Sequence, residues 1–187
     1  MFKILLLSFM SLGSIPAHAQ PAGEIEEDLL EWNQFYRLQW YDFLGEPGED
    51  ARGDAGAAVQ IKAKPFLVRK EIRYDVIALF NRNKSWARGQ SPSLLAHEQL
   101  HFDIAELYAR KIRKKILELK SEGVNDVKTY NAAIQELLQE SNDADLQYDI
   151  ETLHGALSKK QAAWSEKVKD SLTRMERYKK TRRVIRR

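Results

Sequence analysis

Along residues 58–62 (Ala-Val-Gln-Ile-Lys) and again along 74–80 (Tyr-Asp-Val-Ile-Ala-Leu-Phe), β-branched and aromatic side chains come close to alternating with polar or small ones. Alternation of this kind places successive side chains on opposite faces of a strand. In 74–80, Val76, Ala78 and Phe80 form one face against Asp75, Ile77 and Leu79, which suits a strand with two partly buried faces. Gly45, Pro47, Gly48, Gly53 and Gly56 interrupt the surrounding stretch where loops are expected. Residues 35–86 therefore read as a small sheet. From Ser91 onward the apolar spacing lengthens to that of helices, and only Gly123 and Gly155 punctuate it strongly. Three helices are expected, over 92–121, 125–154 and 158–178. The fold class that follows is α+β, a small N-terminal sheet packed on a helix and followed by further helices.

The start of the chain has a different pattern. Lys3, an apolar run over 4–12 and Ala17-His18-Ala19 have the layout of an export signal covering residues 1–19. The run is shorter than the ~20 residues a spanning helix needs, and no Cys follows it to carry a lipid. A periplasmic or secreted chain is expected, with no transmembrane segment once the signal is removed. Residues 20–176 then make one domain. Residues 177–187, basic without an acidic residue, read as a solvated C-terminal tail.

Charge and cysteine content narrow the function classes. The 30 Lys+Arg against 27 Asp+Glu leave a formal charge of +3, too balanced to point to nucleic acid. The absence of Cys excludes disulfides, thiolate metal sites and cysteine nucleophiles. A metal here has to be held by His, Asp and Glu, and behind the signal the only histidines are His97, His101 and His154.

Two of these lie in Ala96-His97-Glu98-Gln99-Leu100-His101, an H-E-x-x-H pattern in a segment that Ser91 and Pro92 open as N-cap and first helical residue. At 3.6 residues per turn the two imidazoles stand about 40° apart on one face, so both can reach a single ion. Glu98 beside them suits a carboxylate that takes a proton from an activated water without binding the metal. The competing structural reading is a buried, hydrogen-bonded pair, because Ile104, Tyr108, Ile112 and Leu119 continue the same helical face.

A catalytic zinc commonly has three protein ligands. Asp103 and Glu106 are excluded, since an unbroken helix points both roughly 140° to 160° from the mid-line of the two histidines. His154, just before Gly155, is the favoured third ligand. Asp149 competes, and only one of the two is expected to touch the ion; with His154 as ligand, Asp149 is a candidate to orient an imidazole. A different reading uses Glu98-x-x-His101 and Glu151-x-x-His154 as half of a carboxylate-bridged di-iron or di-manganese site. It needs two further long helices that residues 35–86 do not provide, and it leaves His97 unused.

Leu38-Gln39-Trp40-Tyr41-Asp42-Phe43-Leu44-Gly45, Ser85-Trp86, residues 95–106 around the H-E-x-x-H, Tyr148-Asp149-Ile150-Glu151-Thr152-Leu153-His154-Gly155 and Gln161-Ala162-Ala163-Trp164 together resemble the bacterial predicted secreted zinc-dependent proteases, domain of unknown function 922. The resemblance spans about residues 32–164. It implies a zincin-like fold, with a sheet edge above the active-site helix, and a hydrolytic role. The expectation is thus an exported zinc peptidase holding one Zn2+ on His97, His101 and His154, with Glu98 as general base and Tyr148 a candidate to steady the oxyanion. Its substrate would be a peptide or protein segment in extended conformation, paired to an exposed sheet edge at 74–80. The non-enzymatic alternative is a periplasmic binding protein that holds zinc structurally.

Overall fold

The computed structural model describes residues 28–180; the signal-like segment 1–19 and the last residues of the basic stretch, 181–187, lie outside them. The described chain is mixed α+β: β1 (Leu29–Glu31), β2 (Ala55–Gly56), β3 (Val59–Val68), β4 (Glu71–Asn81), β5 (Trp86–Ala87), α1 (Pro92–Ser121), α2 (Val127–Thr152) and α3 (Ser158–Arg174), with 3-10 turns at Trp40–Asp42, Arg82–Lys84 and Glu176–Tyr178. β3 and β4 form an antiparallel hairpin from Val59↔Phe80 to Val68↔Glu71. Its turn, Arg69-Lys70, has positive φ at both residues, 50° and 68°. That geometry matches the twist of the flanking strands and usually takes Asn or Gly, so no glycine marks it in the sequence.

The sheet order is β1-β4-β3, and this corrects one expectation. Residues 74–80 lie on the central strand: β4 pairs with β3 from Glu71 to Phe80 and with β1 at Leu79–Asn81, while on the β1 side before Leu79 the Ala78 carbonyl accepts from the Trp32 amide and the Val76 carbonyl from Arg113. Val76, Ala78 and Phe80 are almost fully buried, and a strand so apolar belongs in the middle of the sheet. β1 lies before the region read as strands and is too short to show a period. The edge strands are β1 and β3, and the exposed Gln60, Lys62 and Lys64 of β3 are the polar side chains that keep edges from pairing indiscriminately. A second, two-stranded sheet pairs Ala55 with Ala87 and Gly56 with Trp86.

α1 is the axis of the molecule. Ser91 caps it, its Oγ accepting from the Leu94 amide, and Pro92 occupies its first turn. One face packs Phe102, Ala105, Ala109 and Ile112 against Val76, Ala78 and Phe80 of β4, with Leu38 and Ile134 closing the cluster. Truncating Phe80, with none of its surface exposed, would cost ~3–5 kcal/mol. A second face sets Leu100, Ile104 and Tyr108 against Tyr148 of α2 and Trp164 and Val168 of α3. The third face is polar yet buried. Asp103 accepts from Trp32 Nε1 and Arg37 at 2.7 Å each and from Gln99 at 3.0 Å. Glu106 accepts from Arg110 and Arg113, and Arg113 also donates to the carbonyls of Val76 and Tyr178. These bonds tie the N-terminal loop, the sheet and the C-terminal turn to one helix, and they satisfy charges that burial would otherwise penalise by several kcal/mol.

α3 ends at Arg174, four residues short of the expected 178, and a 3-10 turn follows. The basic stretch begins on the fold: Tyr178 is buried, and Lys180 pairs with Glu31 and Asp75. Among the described residues no helix is long and apolar enough to cross a membrane.

Candidate metal centre

His97 and His101 stand one turn apart near the start of α1, both buried, with their Nε2 atoms 3.2 Å apart. The last turn of α2 brings Asp149 to them, its Oδ1 3.1 Å from each Nε2. Three ligand-type atoms therefore form a nearly equilateral triangle of 3.1–3.2 Å edges. Two corners of a tetrahedron are about 1.6 bond lengths apart, so zinc bonds of about 2.0–2.1 Å give edges near ~3.3 Å.

The far sides of the rings decide what these atoms are. His101 Nδ1 lies 2.6 Å from Asp145 Oδ1, and His97 Nδ1 lies 3.2 Å from Gln161 Oε1. A carboxylate or amide oxygen only accepts, so each Nδ1 carries the proton and each Nε2 keeps a lone pair. Asp149 Oδ1 is buried without a hydrogen-bond donor. Three acceptors thus converge with nothing to share, a cost removed by a cation and, in its absence, by a proton. The electrostatics of the metal-free chain say the same. Burial works against a charge on His101, but the carboxylates of Asp145 and Asp149 beside its two ring nitrogens raise its pKa to about 10, so that in the metal-free chain the ring takes up the proton. Burial likewise works against Asp149 ionising, yet contact with His101 and His97 holds it far below the usual carboxylate range. Among the described residues His97, His101 and Asp149 form a group that could hold a metal ion.

Glu98 is buried beside this group. Burial raises its pKa, partly offset by the two histidines and by a hydrogen bond from the Ala57 amide. Ala57 is placed by its neighbours. Trp86 lies against Gly56, where a Cβ would meet the indole at 2.9 Å. Ser85 Oγ accepts from the Ala58 amide and donates to the Asn81 carbonyl. The Ser85-Trp86 pair in the sequence therefore holds the segment between β2 and β3 that holds Glu98.

Of the two candidates for third ligand, Asp149 lies in the converging group and His154 does not. His154 has a side chain 69% exposed and only approaches the other oxygen of Asp149, Nδ1 to Oδ2 3.5 Å. The reason is backbone: Leu153, His154 and Gly155 all have positive φ, 48°, 51° and 84°, which ends α2 and swings His154 outward after Asp149 has been placed. Gly155 is required twice, by its φ and because a Cβ would lie 3.0 Å from His97 Cγ. Asp103 and Glu106 point away into the polar bonds of the third face, as the helical angles require. Glu151 is also outside the group, its carboxylate accepting from Gln147 and from Trp164 Nε1.

Tyr148 does not face the Nε2 atoms. Its hydroxyl donates to Gln161 Oε1 at 2.6 Å, on the Nδ1 side of His97, and its ring stacks on His97 with centroids 4.7 Å apart. That arrangement orients an imidazole and leaves no hydroxyl for an oxyanion. Asp145 and Gln161 had no role in the sequence reading. Asp145 had a signal, since Asp145-x-x-x-Asp149 has the same one-turn spacing as His97-x-x-x-His101. Gln161 had none beyond its place in the Gln161-Ala162-Ala163-Trp164 stretch of the resemblance.

Residues 78–155 match the family model of a bacterial protein of unknown function (DUF922). The matched stretch contains β4 from Ala78, α1 and α2, and with them His97, Glu98, His101, Asp149 and His154, and it supports the family named from the motifs. No curated protein and no solved structure matches the chain.

Proposed function

We propose that this is a zinc-dependent peptidase in which His97, His101 and Asp149 hold one zinc ion and Glu98 is the general base. The observation that carries the reading is the triangle of lone-pair donors beside a buried carboxylate of raised pKa. Two imidazoles and a carboxylate are a donor set that zinc accepts while leaving a position open. A bound zinc ion supplies Lewis acidity, polarising a carbonyl and lowering the pKa of a water toward ~7. Glu98 is not one of the three converging groups; its carboxylate takes the proton from the water and delivers it to the leaving amine, and burial strengthens its hold on that proton. Asp145 and Gln161 keep both Nδ1 atoms protonated and both rings fixed.

The zincin-like reading is supported by an H-E-x-x-H helix lying under a sheet whose edge passes the site. That edge is β3: Val59, Gln60 and Ile61 share a cavity of about 80 Å³ with His101 and Asp145. Unpaired main-chain groups there can receive an extended peptide, the role expected earlier of 74–80. With the signal-like segment 1–19, the proposal puts the activity in the periplasm or outside the cell.

Glu98→Gln keeps size and removes the base. Zinc should remain at one per chain, while hydrolysis of an unfolded protein substrate falls by about 10²–10⁴ or more. Loss of zinc in this variant would make Glu98 a structural residue. A zinc-loaded wild type that cuts no peptide would leave a zinc-holding binding protein.

A further inference from the structure

β3 is an end strand of its sheet, and its register decides what it can take. The Asn81 amide donates to the Ala58 carbonyl. With Val59 opposite Phe80 and the pairing unbroken to Val68, the even-numbered residues of β3 are the ones bonded to β4, and Val59, Ile61 and Ala63 turn their N–H and C=O groups to the free edge. Pro65 has no N–H and ends that run.

Lys62 and Lys64 alternate with these positions and are both exposed. Toward an added antiparallel strand they stand at non-hydrogen-bonded positions, where facing side chains come closest. Neither has an ion pair or a side-chain hydrogen bond among the described residues. On β4, Ile77 lies opposite Lys62, and Asp75, opposite Lys64, is 3.6 Å from Lys180. The inner side of the edge offers no free charge to choose by. There the cavity beside His101 is walled by neutral Leu138, Ser141 and Asn142, and the acid in it, Asp145, is held by His101 Nδ1. Edge lysines deter pairing in general; a strand that carries acids facing both is the kind they admit.

We infer that Lys62 and Lys64 select the substrate of the metal centre, an extended peptide paired to residues 59–63 with Asp or Glu at two alternate positions on one side of the bond to be cut. The inference rests on the peptidase reading and deepens it by naming a substrate class. Ile61 shares the cavity with His101, and the two lysines follow it by about 3 and 10 Å along the strand, so the acids fall within a few residues of the metal centre. Main-chain pairing supplies affinity, and the lysines supply the choice.

The test uses Glu98→Gln protein supplied with zinc and three fluorescein-labelled peptides of equal length: one alternating Glu with Thr, one with Gln for each Glu, and one with the same Glu and Thr in blocks of two. Fluorescence anisotropy should show the alternating Glu peptide binding about five- to tenfold tighter than the Gln peptide. The block peptide faces only one of the two lysines with an acid in any register, so it should fall between them. Lys62→Gln with Lys64→Gln should abolish these differences at unchanged zinc content and circular dichroism, and added salt should narrow them. Equal binding of the Glu and Gln peptides overturns the inference, as does a preference that survives the double substitution. Equal binding of the alternating and block peptides also overturns it, since charge would then act without strand pairing. The two readings fail separately. An alternating Glu peptide held through both lysines but not cut by wild type supplied with zinc defeats hydrolysis alone. Cleavage of the Glu and Gln peptides with equal kcat/KM defeats the selection alone.

Discussion

Replacing Gly155 with alanine probes how the turn after α2 is packed onto the metal centre. The residue has φ +84°, and an added Cβ would lie 3.0, 3.1 and 3.2 Å from Cγ, Cβ and Nδ1 of His97. Two costs combine. Alanine in the left-handed region costs ~1 kcal/mol relative to glycine. Crowding a ring whose Nδ1 is held by Gln161 adds the ~1–3 kcal/mol typical of overpacking. The expected loss is about 2–4 kcal/mol. Gly123 provides the control, since its φ is +79° and nothing lies within 4 Å of an added Cβ; Gly123→Ala should cost only the backbone part, ~1 kcal/mol. Urea unfolding of the two metal-free variants reads both numbers. Displacing the His97 ring also moves its Nε2, so zinc affinity measured by chelator competition should fall about 10–100-fold in Gly155→Ala and stay unchanged in Gly123→Ala. Equal destabilisation of the two variants, with zinc affinity intact in both, would refute the packing described.

Other consequences follow from the same geometry. Asp149→Asn should weaken zinc binding much more than His154→Ala, because one residue offers an atom to the triangle and the other touches only its outer oxygen; competition titrations with the reversed order would restore His154 as ligand. Asp145→Asn should lower zinc affinity about 10–100-fold in a folded protein by freeing the His101 ring, and unchanged affinity would remove Asp145 from the centre. In the metal-free protein His101 rises to about 10, above its unfolded ~6.5. The stability this contributes is complete below ~6.5 and is lost as pH climbs through about 10. Thermal melts of the metal-free chain should therefore decline across that window, the zinc-loaded chain declining less because the cation replaces the proton; superimposable profiles would contradict the shared site.

The metal helix was legible because everything that defines it is local: Ser91 and Pro92 start it, and the one-turn spacing of His97 and His101 needs only helical geometry. The class of fold was legible for a similar reason, since a period of two before residue 86 and a period near 3.6 after residue 91 are properties of short windows. Strand order was not. The pairing of Leu29 with Asn81 joins residues far apart in the chain through a strand of three residues, and the Arg69-Lys70 turn lacks the glycine that announces a hairpin. His154 lies outside the converging group for a different reason. Counting histidines favours His154, but two consecutive non-glycine residues in the left-handed region, Leu153 and His154, redirect the chain just after Asp149, and no propensity predicts such a turn. Its strain, of order 1–3 kcal/mol per residue, is offset where Gly155 lies on His97 and the Gly155 amide donates to Thr152 Oγ1.

Metal analysis of the purified chain shows at once whether the triangle of His97, His101 and Asp149 holds an ion. One zinc per chain is expected in the wild type and in Glu98→Gln, and none in His101→Ala, where the Asp149 and His97 atoms left behind are too few to hold it. Two irons or two manganese ions per chain, or a wild type that takes up no metal at all, would contradict it.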